Sequence, residues 1–466
     1  MKKLFGTDGI RSVAGKYPLD TPTVHAIGLA LAHSLAATSP SPRVILGMDT
    51  RESGPSIAAT LTAGLVAGGA TVENAGVITT PAIAFLARTH KFAAGIVISA
   101  SHNPWEDNGI KVFGPDGYKL PDATELAIEE EIFRQLAPAA VSFRAQRSEA
   151  EEAPHFAGTA TDLAAPPVNE TDRADYIRFL LAAVPGLSLD NHRIVIDCAN
   201  GAASAVAPEL FAQLNGHDVV VTHASPDGRN INETCGALHP EIVAAAVRHH
   251  KASLGITFDG DADRALFADE LGRVVNGDAV LLLAARDLQS RGLLTNSTVV
   301  ATTMSNMGLE AALKRSGISM LRANVGDKYV LEQMLATNAA LGGEQSGHII
   351  FTGRSTTGDG LLTALLLLDV VHRSGKSLSQ LVSDLKVFPQ VIVNVKVREK
   401  RPLEAIAPVA AAIAAAEKEL ADSGRVVIRY SGTEALARVM IEAESETLMR
   451  HHADTIASAI RAELGI

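Results

Sequence analysis

The chain has 466 residues, of which 47% are hydrophobic and 20% are charged, and its formal net charge is −11. This length and balance predict a well-packed protein of about two to four domains and exclude an intrinsically disordered chain. The negative charge, without a long run of Lys or Arg, disfavours nucleic acid and anionic membranes as partners.

The N-terminal segment, MKKLFGTDGIR, lacks the apolar stretch of a signal peptide. The longest apolar run, Leu361 to Val371, is too short to span a bilayer and contains Asp369. Cys198 and Cys235 are too few for a disulfide framework, which indicates a reducing compartment. We therefore expect a cytoplasmic protein.

One pattern occurs three times along the chain: a β-branched strand, a polar or Gly-rich loop, an Ala/Leu-rich helix and a further apolar stretch. Such alternation predicts sheets with parallel strands that are covered by helices on both faces. We expect three related α/β domains with mixed sheets sandwiched by helices. The strands begin at Arg43, Arg193 and Thr298, and the helix-like segments that follow are 57–68, 207–216 and 308–317.

Residues 150–170, rich in Ala, Pro, Thr and acidic residues, are typical of a linker. From Pro389 onward the pattern changes to a strand, a helix over Leu403 to Leu420, two strands and an amphipathic helix, which predicts a smaller α+β domain. The expected domains are 1–155, 168–268, 269–386 and 387–466.

Each α/β unit runs into an unusual polar loop, and the first is SASHNP, which follows the strand-like AAGIVI. Its Ser101 could be a nucleophile, a capping residue or a turn residue, and the local pattern alone favours the turn. A Ser/His hydrolase is disfavoured because His102 would point away from Ser101 on extended backbone and no GxSxG turn is present.

The second polar loop, DGDADR, has Asp259, Asp261 and Asp263 at alternate positions. On extended backbone these carboxylates point to one side, and their repulsion calls for a cation such as Mg²⁺ or Ca²⁺. An EF-hand is disfavoured because Arg264 takes the position that needs Gly, and an acidic surface turn rarely follows so apolar a strand.

The third loop, GGEQSGH, offers Glu344, Ser346 and His348, and its glycines permit either a plain tight turn or a close approach to a ligand. The fourth loop, RYSGTEALAR, lies in the C-terminal segment and is either a hairpin with a Ser-Gly turn or a phosphate cradle. Together a hydroxyl, a hard-cation site, a polyol loop and a phosphate cradle predict phosphoryl transfer on a sugar.

These loops, together with FGTDGIR at the start, DNGIK after SASHNP, and CANGAAS, resemble the α-D-phosphohexomutases over nearly the whole chain. The resemblance implies four domains around a central cleft, with the phosphoryl group carried by Ser101. It implies Mg²⁺ bound by Asp259, Asp261, Asp263 and the phosphate on Ser101. It also implies that Arg264 contacts the transferring group, that His102 or Lys111 is the acid/base, that Glu344 and Ser346 hold sugar hydroxyls, and that the other phosphate is bound by Arg429, Ser431, Gly432, Thr433 and Arg438.

The activity implied is interconversion of the 6- and 1-phosphates of a hexosamine, with a hexosamine 1,6-bisphosphate as intermediate and activator. Gln345 favours the amino-sugar branch, since the phosphomannomutase/phosphoglucomutase branch more often has Met there. That branch is the first alternative. The second, a non-catalytic sugar-phosphate sensor, is disfavoured because the nucleophile and the three aspartates are retained. The expected partner is a small sugar phosphate, and a homodimer stays open.

Four positions depart from the family pattern, and one of them is Ser12, which replaces the usual Gly after GTDGIR. Tyr430 and Ala435 replace the two prolines of RPSGTEP, from which we expect a less rigid loop. Lys328 stands where Arg is usual in VGDRYV, which keeps the charge but loses bidentate geometry.

The resemblance and Pro389 together lead us to expect a hinge of the C-terminal domain near 386–390.

Overall fold

The computed structural model describes residues 3–6, 8–145, 166–190, 192–431 and 435–466, and only the backbone of 138–145. The predicted linker at 150–170 falls outside these residues except for 166–170. The described chain divides into two compact units, one of Met1–Met304 with Met320–Val382 and one of Ser305–Ser319 with Ser383–Ile466.

The first sheet has six strands in the order β1-β2-β6-β5-β3-β4. Strand β3 is parallel to β4 and β5, and the other pairs are antiparallel. Its elements are β1 (Phe5–Gly6), β2 (Gly9–Val13), α1 (Thr21–Ala36), β3 (Arg43–Met48), α2 (Gly54–Ala67), β4 (Thr71–Val77), α3 (Thr80–Thr89), β5 (Ala94–Ile98), β6 (Asp107–Phe113) and α4 (Asp122–Ala145).

Helices cover both faces of this sheet because alternate side chains of its buried strands point to opposite sides. Val44 and Leu46 join the apolar core that includes residues of α1 and α2. Gly47, the next residue of the strand, faces Ile83 of α3 on the other side, where a Cβ would lie 2.6 to 2.9 Å from side-chain atoms of α3 and the preceding loop.

The second sheet has five strands in the order β11-β10-β9-β7-β8. Strand β7 is parallel to β8 and β9, whereas β9, β10 and β11 are joined as antiparallel neighbours. Its elements are α5 (Glu170–Ala182), β7 (Ile194–Asp197), α6 (Ala207–Ala212), β8 (Val219–Thr222), α7 (Pro240–His250), β9 (Leu254–Phe258), β10 (Ala265–Asp269) and β11 (Val274–Val275).

The third sheet has four strands in the order β13-β12-β14-β15, with β12 parallel to β14 and β14 antiparallel to β15. One helix of this stretch, α9, belongs to the second compact unit, where the Asn306 side chain at its N-terminus bonds to both backbone groups of Phe388. The elements are α8 (Gly277–Ser290), β12 (Thr298–Thr302), α9 (Met307–Arg315), β13 (Ser319–Ala323), α10 (Asp327–Thr337), β14 (Leu341–Gly343), β15 (Ile349–Phe351), α11 (Gly360–Ser374) and α12 (Leu378–Leu381).

The C-terminal sheet is antiparallel, in the order β16-β18-β17, and packs on two helices. The predicted helix over Leu403 to Leu420 is wrong at its start, because Pro408 fits only a first helical turn and the α-helix begins at Ala407. Leu403–Ala405 forms a separate short 3₁₀ turn. The elements are β16 (Gln390–Lys396), α13 (Ala407–Leu420), β17 (Gly424–Tyr430), β18 (Leu436–Ala443) and α14 (Glu446–Leu464).

The observed elements confirm the expected fold class: mixed sheets with flanking helices, followed by a smaller C-terminal α+β domain. Segment ends differ from expectation where the backbone turns. Helix α6 stops at Ala212, ahead of the left-handed Asn215, and α2 begins at Gly54 with Pro55 in its first turn. Within the described part of the chain, no helix is both long and apolar enough to cross a membrane.

Candidate active site

Ser101 lies just after β5 and is buried, and its backbone adopts a left-handed φ of 55°. This conformation directs the hydroxyl toward the second domain, where Ser101 Oγ donates a hydrogen bond of 2.7 Å to Asp259 Oδ2. The same Oγ lies 3.2 Å from Nδ1 of His102. The expectation that Ser101 and His102 point apart is therefore wrong, because it assumed extended backbone.

The acidic loop, residues 259–264, connects the antiparallel strands β9 and β10 as a hairpin loop. The three aspartates are buried and bring carboxylate oxygens within 4.8 Å of one another. The reason differs from the expected one: the backbone is not extended but folds back through Ala262, whose φ is 55°. The alternate spacing of the aspartates therefore predicted that they cluster, but the extended backbone assumed for that prediction is wrong.

A buried lysine neutralises part of this negative charge. Lys111 extends from β6, and its Nζ lies 2.7 Å from Asp261 Oδ2, 3.1 Å from Asp8 Oδ2 and 3.7 Å from Asp263 Oδ2. Burial opposes the charged form, but these carboxylates raise the pKa of Lys111 above its ordinary value. Lys111 is thus held as an ammonium group between the first two domains.

Carboxylate charge in the loop still exceeds what its neighbours compensate. Burial, together with the nearby Asp263 and Asp261, holds the pKa of Asp259 well above its usual range. Among the described residues, Oδ1 of Asp261 and Oδ1 of Asp263 are buried and have no hydrogen-bond partner. Clustered, buried carboxylate oxygens of this kind fit a hard divalent cation, whose preferred ligands are oxygens.

His102 and Arg264 border the same cluster. The pKa of His102 is lowered to about 4 by burial and by the positive charges of Arg264 and Arg11. The Arg264 backbone N–H donates to Asp259 Oδ1 at 3.1 Å, and its Nε lies 3.8 Å from Asp263 Oδ1. Arg264 therefore lies at the rim of the acidic loop.

A chain of ion pairs that the sequence analysis missed extends from this cluster toward the third domain. Asp8, within FGTDGIR, accepts a hydrogen bond of 2.5 Å from Lys119, which also pairs with Asp327. The buried His348 lies beside these pairs: its Nδ1 is 3.5 Å from Asp263 Oδ2, and its Nε2 accepts a hydrogen bond of 2.9 Å from the Gly358 N–H. The signal was present as charged residues in FGTDGIR and VGDKYV, but nothing in the sequence joined them.

The third loop follows β14 and lies against the acidic loop, since Ala265 N donates to Gly347 O at 3.1 Å. Glu344 accepts hydrogen bonds from the Gly326 N–H at 3.0 Å and from Ser346 Oγ at 3.3 Å. Gln345, by contrast, donates to Asp278 in the first turn of α8 at 3.2 Å. Three loops, one from each related α/β domain, thus meet within the first compact unit.

The fourth loop lies in the second unit, at the tip of the β17–β18 hairpin. Arg429 and Arg438 are directly opposite on the two strands, and Ser431 N donates to Leu436 O at 2.8 Å. Gly432 and Thr433 fall outside the described residues. Like charges opposite each other destabilise a strand pair, and a bound anion would relieve them.

Two further contacts hold this hairpin tip. Lys400 Nζ donates to Ser431 O at 2.6 Å, which adds a cation that the sequence analysis did not include. The Tyr430 hydroxyl donates to Arg401 O at 2.7 Å. Tyr430, which replaces the proline expected before Ser431, therefore has an anchor of its own.

Comparison with known proteins covers the whole chain. Four domain families described as phosphoglucomutase/phosphomannomutase match it: α/β/α domain I at residues 2–138, domain II at 174–272, domain III at 276–388 and the C-terminal domain at 392–459. The chain belongs to the phosphohexomutase family. It is accordingly an intramolecular phosphotransferase, an isomerase, as the resemblance predicted.

Two curated relatives of this phosphohexomutase are named phosphoglucosamine mutase. The protein from Koribacter versatilis is 58% identical over 470 residues, covering 100% of this chain and 98% of the relative. The protein from Solibacter usitatus is 50% identical, covering 100% and 99%. These relatives favour the amino-sugar branch over the phosphomannomutase/phosphoglucomutase alternative.

Solved structures share the fold at lower identity. A phosphoglucomutase/phosphomannomutase family protein from Burkholderia thailandensis has a TM-score of 0.77 at 24% identity, covering 100% of both chains. The N-acetylphosphoglucosamine mutase of Aspergillus fumigatus, solved in complex with GlcNAc-6P and magnesium, has a TM-score of 0.62 at 22% identity, covering 99% of this chain and 96% of that one.

Proposed function

We propose that this phosphohexomutase interconverts glucosamine 6-phosphate and glucosamine 1-phosphate, with Ser101 as the phosphoryl carrier. The observation that carries the proposal is the 2.7 Å hydrogen bond from Ser101 Oγ to Asp259, at the edge of a buried three-carboxylate cluster. The full-length identity to relatives named phosphoglucosamine mutase supports the choice of sugar.

Mg²⁺ is the cation we propose for the acidic loop. Asp259, Asp261 and Asp263 would hold it together with a phosphate oxygen on Ser101, and the unpartnered Oδ1 atoms of the last two aspartates support this ligand set. Bound there, the ion offsets negative charge on the transferring phosphoryl group. The Aspergillus fumigatus enzyme was solved with magnesium and a sugar phosphate together, which agrees with this choice.

The phosphoryl group then passes between Ser101 and the sugar in two steps. The free hydroxyl of the sugar monophosphate attacks the phosphorus on Ser101, and the Ser101 Oγ–P bond breaks as a new sugar O–P bond forms. The proton that the sugar hydroxyl loses ends on Ser101 Oγ. The resulting hexosamine 1,6-bisphosphate turns over and returns its other phosphoryl group to Ser101 by the reverse step. The same bisphosphate acts as activator when it phosphorylates a chain whose Ser101 carries no phosphate.

The chain's own residues supply positioning and proton transfer. His102 Nδ1, 3.2 Å from Ser101 Oγ, is placed to hold the proton that this oxygen gains or loses. Lys111 is instead engaged by the carboxylates of Asp8, Asp261 and Asp263, so its role is to fix charge rather than to accept a proton. Arg264 would contact the transferring group from the rim of the loop.

The sugar and its second phosphate would be bound by the remaining loops. Glu344 and Ser346 are half-buried on the third loop. The Glu344 carboxylate would accept hydrogen bonds from sugar hydroxyls, and the Ser346 hydroxyl would donate to them. In the C-terminal hairpin, the opposed guanidinium groups support a phosphate clamp that recognises phosphate rather than sugar position. The clamp residues are Arg429, Ser431, Gly432, Thr433 and Arg438, with Lys400 added by its contact to Ser431.

We also infer that the protein works in the cytoplasm on small sugar phosphates, and a homodimer is compatible with this role. Gln345, which marks the amino-sugar branch, bonds to Asp278. It would therefore influence sugar choice through the position of the third loop.

A coupled assay for glucosamine 1-phosphate formation tests the proposal. Purified protein is supplied with Mg²⁺ and a catalytic amount of glucose 1,6-bisphosphate. Glucose 1-phosphate and mannose 1-phosphate are tested as alternative substrates in separate, parallel reactions. Ser101→Ala is the nucleophile control, and its melting temperature establishes that it is folded.

We expect the highest kcat/KM for the amino sugar and no measurable turnover by Ser101→Ala. A higher kcat/KM for glucose or mannose phosphate would reassign the chain to the sister branch. A folded, phosphorylated wild-type protein that turns over none of the three would support a sugar-phosphate sensor instead.

A further inference from the structure

The backbone of Ser101 is held in a conformation that a serine rarely adopts. Its φ of 55° lies in the left-handed region, where a side chain crowds the backbone and where residues persist only if their surroundings impose it. If this residue relaxed to an extended φ, its Oγ would turn away from Asp259. The groups that bond to the Ser101 backbone therefore determine whether the hydroxyl faces the acidic loop.

Within the first domain, two buried side chains hold this backbone. The Ser101 N–H donates to Ser99 Oγ at 2.9 Å. The fully buried guanidinium of Arg51 donates from Nη2 to Ser101 O at 2.9 Å and to Asn103 O at 2.8 Å. Its other nitrogens bond to the carboxylate of Asp49 and to two more carbonyls of the same loop, those of Pro104 and Asp107.

The second domain contributes a further donor to the same carbonyl. Asn232, buried in the loop before α7, donates from Nδ2 to Ser101 O at 2.9 Å and to Asn103 O at 3.3 Å. The carbonyl oxygen of Ser101 thus accepts two hydrogen bonds, one from each domain, which uses both of its lone pairs. Gly260 lies against it as well, since a Cβ there would be 2.5 Å from Ser101 O.

We propose that Asn232 is a positioning residue that acts across the domain boundary, fixing the Ser101 carbonyl so that its hydroxyl faces the acidic loop. Arg51 supplies the same support from within the first domain. Asn232 makes the geometry of the nucleophile depend on the second domain, which also carries the three aspartates. The inference rests on the proposed role of Ser101 as phosphoryl carrier.

Substitution of Asn232 tests this role. Asn232→Asp keeps the size and the tolerance for its own left-handed φ of 59° but removes the N–H donors, and Asn232→Ala removes the whole amide. The matched control is Asn230→Asp in the same loop, because the Asn230 amide bonds to Ser225 O at 3.1 Å and the contacts above do not involve it. Arg51→Lys is left out of the primary test because its guanidinium has five acceptors in the interior.

The readout is the rate at which glucose 1,6-bisphosphate phosphorylates Ser101 in full-length, dephosphorylated protein with Mg²⁺, followed by intact-protein mass spectrometry. Steady-state kcat and KM and the melting temperature are measured beside it. We expect both Asn232 variants to lose about 10- to 100-fold in phosphorylation rate and in kcat, with KM changed less than about threefold. The melting temperature should fall by no more than about 4 °C, and Asn230→Asp should match wild type.

Phosphorylation of the Asn232 variants at the wild-type rate would overturn the inference. So would an equal loss in Asn230→Asp, or a loss that parallels a large fall in melting temperature, because either would indicate a general effect on the loop or the fold. A wild-type chain that glucose 1,6-bisphosphate does not phosphorylate at Ser101 would contradict the proposed function itself, and the variants would then match it at zero rate.

Discussion

The acidic loop of the first unit and the β17–β18 hairpin of the second unit handle charge in opposite ways. Around the acidic loop, the carboxylates of Asp8, Asp261 and Asp263 surround Lys111, and both signs of charge are present. In the hairpin, Arg429 and Arg438 face each other on neighbouring strands, and Arg429 is exposed. One region combines both signs of charge in the interior, whereas the other places two charges of the same sign on neighbouring strands, one of them exposed.

This difference follows from what each region is proposed to bind. A site for a transferring phosphoryl group needs a fixed nucleophile and fixed charges, because misplacement by about 1 Å can cost about 100-fold in rate. A site that only holds a phosphate needs donors and positive charge, and it tolerates more exposure. Substitutions in the acidic loop should therefore change kcat, and substitutions in the hairpin should change KM.

The largest effect is expected from Asp261→Asn. Asp261 Oδ2 accepts hydrogen bonds from Thr80 Oγ1 at 2.6 Å and from Lys111 Nζ at 2.7 Å, and its Oδ1 is a proposed metal ligand. We expect kcat to fall by about 10³-fold, with weaker Mg²⁺ binding by calorimetry. Asp116→Asn, at an exposed turn, is the control, and an active Asp261→Asn with normal Mg²⁺ affinity would refute the assigned ligand.

Lys111→Met should have the next largest effect, on stability. Removal of the ammonium leaves several carboxylates without their shared cation, which should cost about 3 kcal/mol in the free energy of unfolding. Urea denaturation measures this cost. Because Mg²⁺ would replace part of the lost positive charge, it should stabilise Lys111→Met more than wild type. The control Lys418→Met, at an exposed site of α13, should unfold like wild type. If Mg²⁺ stabilised Lys111→Met and wild type equally, that result would count against a cation site at the acidic loop.

Arg429→Ala should leave kcat nearly unchanged and raise KM for the sugar phosphate by about 10-fold, because it removes one charge-assisted contact to phosphate. Its stability should hold or rise slightly, since two like charges no longer face each other. Arg425→Ala on the same strand is the contrasting variant. Arg425 pairs with the buried Glu442 at 2.6 Å, so its loss should lower stability and leave KM alone. A raised KM for Arg425→Ala together with a lowered stability for Arg429→Ala would contradict the proposed difference between the two arginines.

The smallest effect is expected from Tyr430→Phe, which removes only the hydroxyl that donates to Arg401 O. We expect a loss of about 1 kcal/mol in unfolding free energy and an increase of about twofold in KM. Denaturation and steady-state kinetics measure both. No change in either quantity would mean that this anchor does not support the phosphate-binding tip.

The sequence predicted the repeated α/β units, because the apolar strands and Ala-rich helices of each unit are local patterns. It also predicted that four polar loops carry the chemistry, one from each α/β unit and one from the C-terminal domain. The site residues Ser101 and Asp259 were named from their motifs, and the structure brings them into contact. The roles assigned to them remain predictions until the assays above are made.

Local backbone geometry at the site could not be predicted. Ser101 and Ala262 adopt left-handed φ, although neither residue type favours it, because contacts from distant segments impose it. The Asp8–Lys119–Asp327 pairs likewise join residues far apart in sequence. Such contacts depend on how domains pack, which residue spacing does not encode.

The hydrogen bond between Ser101 and Asp259 has a consequence for how the chain can be divided. Ser101 follows a strand of the first sheet and Asp259 follows a strand of the second, so neither domain alone holds both groups. A break in the chain between these domains would leave the proposed phosphoryl carrier on one fragment and the acidic loop on the other. The two fragments would have to associate again before the proposed transfer could occur.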